Sequence, residues 1–202
     1  MGGLSLHLGL LGRRCEAELA GLQVIAMCKL LWLVAFLTLN AFAQEKQGYN
    51  GNLGLNSETF QVALNGALAS EGASFRANRG KPSACSSLVC FVTPLTESLA
   101  MNTMHNKSDG SVRVIMVVLS KVAPEVDVKV KLTQLMRAIV KAVTPNVSDA
   151  ECEKAVLKLT ADAARSKDTT ARFSKNGIRY IFAGLPEIGL VFTVQREDIG
   201  AK

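Results

Sequence analysis

The clearest pattern in the chain is a stretch of helical periodicity flanked on both sides by strand-like blocks. Leu132, Leu135, Met136, Ile139, Val140 and Val143 recur at spacings of three and four, with Lys131, Gln134, Arg137 and Lys141 on the other side. That spacing predicts an amphipathic helix over 128–143, ended by Thr144-Pro145. A second helix is predicted over 149–164. Its start, Ser148-Asp149-Ala150-Glu151, is a capping box in which serine and glutamate each satisfy a backbone N–H, and Cys152, Ala155, Val156, Leu159 and Ala163 form its buried stripe. An earlier helix over 57–69, N-capped by Ser57, places Phe60, Leu64, Ala67 and Leu68 on one face. Phe60, Val62 and Leu64 also alternate as a strand would, but Ala63, Ala67 and Ala69 favour the helix while Gly66 weakens it.

Gly72 to Ser87 has loop chemistry, including Arg79-Gly80-Lys81-Pro82, and leads into an apolar strand over 88–93 that Pro94 ends. Leu95 to Met104 fits neither template, and Asn102 to Gly110 reads as a loop containing the polar turn Asn106-Lys107-Ser108-Asp109-Gly110. Val112 to Leu119 is interrupted only by Arg113, so it is expected to be a central strand covered on both faces. Three short strands close the chain, over 170–174, 178–183 and 188–195, joined by Asn176-Gly177 and Gly184-Leu185-Pro186-Glu187. Tyr180 and Phe182 fall on one face of the middle strand. The expected fold class is α+β: a single domain over 57–202 in which one mostly antiparallel sheet packs against two or three helices.

The N-terminal region follows a different pattern. Met27 to Ala43 has Lys29, an apolar run from Leu30 to Leu39, and the small residues of Ala41-Phe42-Ala43, the plan of a secretory signal peptide cleaved between Ala43 and Gln44. Residues 1–26 suit such a signal poorly and read as an over-long start, with Met27 the natural one. Residues 44–56, rich in Gly, Asn and Gln, read as a flexible leader. The expected location is secreted or periplasmic, with no stable membrane anchor if the signal is cleaved. The alternative is an anchor through residues 19–43, which reaches bilayer length only if Lys29 is tolerated inside.

Charge changes this picture little. Removing Arg13, Arg14, Lys29, Glu16 and Glu18 from the formal +6 leaves +5 on the 159 residues from Gln44, spread along the chain. Lys129, Lys131, Arg137 and Lys141 form the densest basic group, which reads as a solvated helix face or as a site for phosphates or anionic lipid. Tyr49 and Tyr180 are the only tyrosines, and Trp32 leaves with the signal, so the aromatic platforms of nucleic-acid binding are missing.

Three cysteines remain after cleavage, Cys85, Cys90 and Cys152. In an oxidising compartment they are disulfide candidates, either Cys85 with Cys90 across a short loop or Cys90 with Cys152 tying a strand to a helix. Four residues separate Cys85 from Cys90 rather than the two of a thioredoxin-like motif, which ranks a redox site last. His105, the one histidine after cleavage, falls in the loop Asn102 to Gly110 and reads as an exposed side chain rather than a base. Glu97, Asp109, Glu125, Asp127 and Glu187 lie near strand ends, but nothing in their spacing pairs them. Asn106-Lys107-Ser108 and Asn146-Val147-Ser148 match the N-glycosylation pattern. No catalytic, metal or cofactor signature is present. The sequence therefore points to a non-catalytic module that binds a protein or an envelope component through its sheet face or the loop Asn102 to Gly110. The alternatives are an envelope hydrolase using carboxylates, a thiol-dependent enzyme using Cys85 or Cys90, and a binder of anionic surfaces.

Overall fold

Ten elements follow one another in a computed structural model that describes residues 51–85, 87–121 and 127–197. They are α1 (Ser57–Ser70), β1 (Lys81–Ala84), β2 (Leu88–Pro94), β3 (Leu99–Asn106), β4 (Val112–Ser120), α2 (Val128–Val143), α3 (Asp149–Arg165), β5 (Thr170–Lys175), β6 (Ile178–Leu185) and β7 (Gly189–Arg196). The expected signal segment Met27–Ala43, its junction at Ala43 and Gln44, and Glu125 lie outside the described residues.

Every strand pairing is antiparallel, and the sheet order is β1-β2-β3-β4-β7-β6-β5. Two meanders therefore meet at the centre. The first runs inward from β1 to β4, α2 and α3 carry the chain to the far edge, and the second runs inward from β5 to β7. The expected α+β class and the central position of β4 both hold. Asn176 and Gly177 take φ of 54° and 71°, the left-handed pair that lets a two-residue turn match the twist of β5 and β6.

The helices cover one face of the sheet, where alternate strand residues form a core with them. Ile115 and Val117 of β4, Phe192 and Val194 of β7, and Tyr180 of β6 meet Leu64 and Leu68 of α1, Leu135 and Ile139 of α2, and Val156 of α3. A buried side chain of this size stabilises by roughly 1.5–3 kcal/mol relative to exposure. The opposite face is also apolar. Cys90, Met104, Met116, Val118, Ile181 and Val191 are each under a tenth exposed and stand outside the helix-side cluster.

Four expectations are corrected. The stretch from Leu99 to Asn106, read as ambiguous and then as loop, is β3, with Leu99, Met101, Thr103 and His105 buried at every second position. Two polar residues at buried positions hid the alternation. β1 was missed because it has four residues, one of them Pro82, a composition tolerated only at a sheet edge. The leader is not free along its whole length, since from Leu53 the backbone is docked. Leu53 N–H donates to Val112 O, and Val112 N–H donates to Leu55 O, both at 2.8 Å, with Leu53 buried. That docking moves the cap of α1 back by one residue, to Asn56, whose side chain accepts from Thr59 N–H at 2.9 Å while the Thr59 hydroxyl oxygen accepts from Asn56 N–H at 3.0 Å.

Two glycine substitutions should act in opposite directions in urea denaturation. Gly66 is exposed in α1 and an added Cβ meets nothing within 4 Å, so Gly66→Ala should stabilise by about 0.5–1 kcal/mol. Gly189 opens β7 at φ 123°, and a Cβ there lies 2.1 Å from Leu119 O, so Gly189→Ala should destabilise by more than about 2 kcal/mol.

Candidate functional site

The residues that sequence reading singled out for chemistry are held in structural roles. Cys85 and Cys90 are disulfide-bonded, with Cα atoms 5.8 Å apart, beside the β1–β2 turn. Cys90 points to the face opposite the helices, whereas Cys152 belongs to the helix-side core, so the alternative bridge between them is ruled out by the pleat. Cys152 is buried and free, its thiol donates to Arg137 O at 3.4 Å, and burial pushes that thiol up to about 11. A thiol so raised is almost entirely protonated at neutral pH.

His105 is not an exposed loop residue but a buried strand residue, 2% exposed, set edge-on to Phe91 with ring centroids 4.9 Å apart. Its Nδ1 faces Gly110 O at 3.2 Å and its Nε2 faces the Thr103 hydroxyl at 2.8 Å. A carbonyl only accepts, so Nδ1 carries the proton and Nε2 accepts from Thr103. Burial holds the imidazole below its ordinary range, the hydrogen bond to Gly110 opposing this, and the neutral ring is the resident form. The turn after it is closed by Asp109, which accepts from Ser111 N–H at 2.9 Å and from its hydroxyl at 2.6 Å. A register shift next to His105 leaves Arg113 as the extra residue of a bulge.

The four basic residues of α2 do not present an open face. Arg137 Nε lies 2.8 Å from Glu71 Oε2, an ionic contact without hydrogen-bond alignment, and Lys141 is paired with both Glu71 and Asp149. The Glu71 side chain is 6% exposed, so these two cations neutralise a buried carboxylate. Burial works against the Lys141 charge, but its contacts with Asp149 and Glu71 prevail and raise its pKa. Lys131 pairs with Asp127 at 3.1 Å, and Lys129 is exposed. The groove beside them is lined by Glu71 and one side of α2 alone, without a second wall. Of the candidate carboxylates, Asp127 is taken up by its ion pair with Lys131. Glu97 and Glu187 flank β4 at one end of the sheet, and Asp109 lies at the other.

What remains open is a cleft of about 260 Å³ between α3 and the β5–β6 hairpin. By contrast, the space between α1 and β2 is about 20 Å³, room for roughly one water. The floor of the cleft is Val140, Val147, Phe173 and Tyr180. Phe173 and Tyr180 stack with centroids 5.5 Å apart, and the Tyr180 hydroxyl is hydrogen-bonded to Thr144, so the ring offers the cleft carbon surface only. One wall is a stripe of α3, Glu151, Lys154, Ala155 and Lys158, at spacings of three and four. Ala155, expected in the buried stripe, is half-buried, and its single methyl leaves the space. Lys175, the last residue of β5, stands at the mouth with its Nζ 3.1 Å from Glu151 Oε1. The other oxygen of Glu151 accepts from Ser148 N–H at 3.1 Å and from its hydroxyl at 2.9 Å, completing the expected capping box. Those bonds, the Ser148 backbone first and Lys175 next, hold the carboxyl down at about 2.

Among the described residues no group of three or more His, Cys, Asp or Glu side chains is arranged to hold a metal ion, and no helix is long and apolar enough to cross a membrane. No protein-family model, curated protein or solved structure matches the chain. The cleft was missed from sequence because its parts come from α2, α3, β5 and β6. The one local signal was a lysine pair, Lys154 and Lys158, four apart beside a small residue on the inner stripe.

His105 supplies a pH test. It is neutral in the fold, whereas an unfolded histidine gains its proton near pH 6.5, so acid favours the unfolded chain. Stability should be flat between about pH 7 and 8 and fall as pH drops below about 6.5, before any carboxylate titrates. Thermal melts of His105→Gln should lack that fall between about pH 6.5 and 5.

Proposed function

We propose that the chain is a small exported binding module, without catalytic chemistry of its own, that engages a component of the cell envelope or extracellular space. The observation that carries this reading is the contrast, among the described residues, between sealed reactive groups and an open cleft between α3 and the β5–β6 hairpin. The disulfide, the raised Cys152 thiol and the hydrogen-bonded His105 are committed to the fold, while at the cleft Lys154 has no ion-pair partner among the described residues. A thiol-dependent enzyme needs an accessible thiolate, which neither the bridged Cys85 and Cys90 nor the protonated Cys152 supplies. The binding surface is assigned to the cleft rather than to the turn after β3, which Asp109 ties closed.

Export is supported by the Ala-x-Ala site at 41–43 after the apolar run, and a disulfide suits an oxidising compartment. Intact mass of the protein recovered from its native host, fraction by fraction, tests both. The expected species lies outside the cytoplasm, begins at Gln44 and is lighter by the two hydrogens of one disulfide. A soluble cytoplasmic species that retains residues 27–43 would overturn the reading.

A further inference from the structure

We propose that the cleft between α3 and the β5–β6 hairpin binds a medium-chain carboxylic acid, head at the lysines and tail on the Phe173–Tyr180 floor. The inference rests on the reading of the chain as a binding module and names its ligand class. Size comes first. At about 260 Å³ the cleft lies just below the roughly 300–1,000 Å³ of sites for drug-sized ligands, which suits a short alkyl chain rather than a sterol or a phospholipid with two tails. Polarity comes next. The floor is apolar, and its one hydroxyl is already bonded to Thr144, so a sugar or peptide would lose its hydrogen bonds to water without replacement.

Charge selects the head. Lys158 is paired with Asp162 at 2.8 Å and Lys175 with Glu151, whereas Lys154 has no ion-pair partner among the described residues. Asp162 lies outside the cleft lining and is shared between Lys158 and Arg165, so the lining, with Lys154, Lys158 and Lys175 against Glu151, is net positive and selects an anionic head group. Glu151 does not compete with a ligand for Lys154, because both its oxygens are bonded to Ser148 and Lys175. The cleft exists because position 155 carries only a methyl group on the helix stripe that faces the floor.

Octanoate, octanol and vesicles of anionic phospholipid are titrated separately into the purified protein while the ring protons of Phe173 and Tyr180 are followed by NMR. Octanoate is expected to give saturable shifts on both rings, with octanol weaker by about fivefold or more, the worth of about 1 kcal/mol of head-group charge. Lys154→Gln, which breaks no ion pair among the described residues, should weaken octanoate toward the octanol value with an unchanged thermal midpoint. Ala155→Phe, checked for native circular dichroism, should abolish the shifts. Equal affinity for octanol, or no saturable shift on either ring, overturns the proposal. Binding to vesicles but not to octanoate overturns the ligand class and leaves the binding-module reading standing, whereas a cytoplasmic, uncleaved chain overturns that reading whatever octanoate does.

Discussion

The pairing of β4 with β7 makes one sheet out of two meanders. Without it, β1 to β4 and β5 to β7 would be small sheets, each with a central apolar strand exposed as an edge. The register sets Ile115 opposite Val194 and Val117 opposite Phe192 on the helix side, with Met116 opposite Thr193 and Val118 opposite Val191 on the other. A slip of one residue would exchange the two faces, and Gly189 guards against it at the point where β7 meets the end of β4. The partners are far apart in sequence, so α2 and α3 must deliver the second meander to the sheet before the pair can close.

How legible each element was depends on how local its cause is. α2 and α3 were readable almost to the residue because periodicity and the Ser148–Glu151 box lie within the segments themselves. The β5–β6 hairpin was readable because Asn176-Gly177 fixes its own turn. β3 was not, because the pattern at Thr103 and His105 is polar and their burial is made good only by Gly110 and by each other. Asn56 and Ser57 are both good N-caps, and the choice between them rests on Leu53 and Leu55 bonding to Val112, a contact that no local window contains.

The same rule separates the basic residues that looked functional from those that line the cleft. Lys129, Lys131, Arg137 and Lys141 formed the densest group in sequence, yet Glu71, which neutralises two of them, ends α1 and accepts from Gln134 across 63 residues. Charge density along a sequence counts cations without their partners. Lys154 and Lys158 drew no attention because two lysines on an exposed helix are ordinary, and Lys175 because it ends a short strand. Only the fold brings α3 and β5 together and sets an aromatic floor beneath the three.

Glu151 links the start of α3 to the mouth of the cleft. One oxygen closes the capping box on Ser148, and the other holds Lys175 at the end of β5, so a single carboxylate fixes both the helix start and its distance from the hairpin. Because that carboxyl is held down at about 2, it stays charged, and the tie stays made, as pH falls through the range where a carboxylic acid ligand gains its proton. The cleft is therefore kept open by two independent causes. Ala155 leaves it unfilled, and the Glu151–Lys175 contact fixes its mouth, whereas between α1 and β2 little more than one water's room is left.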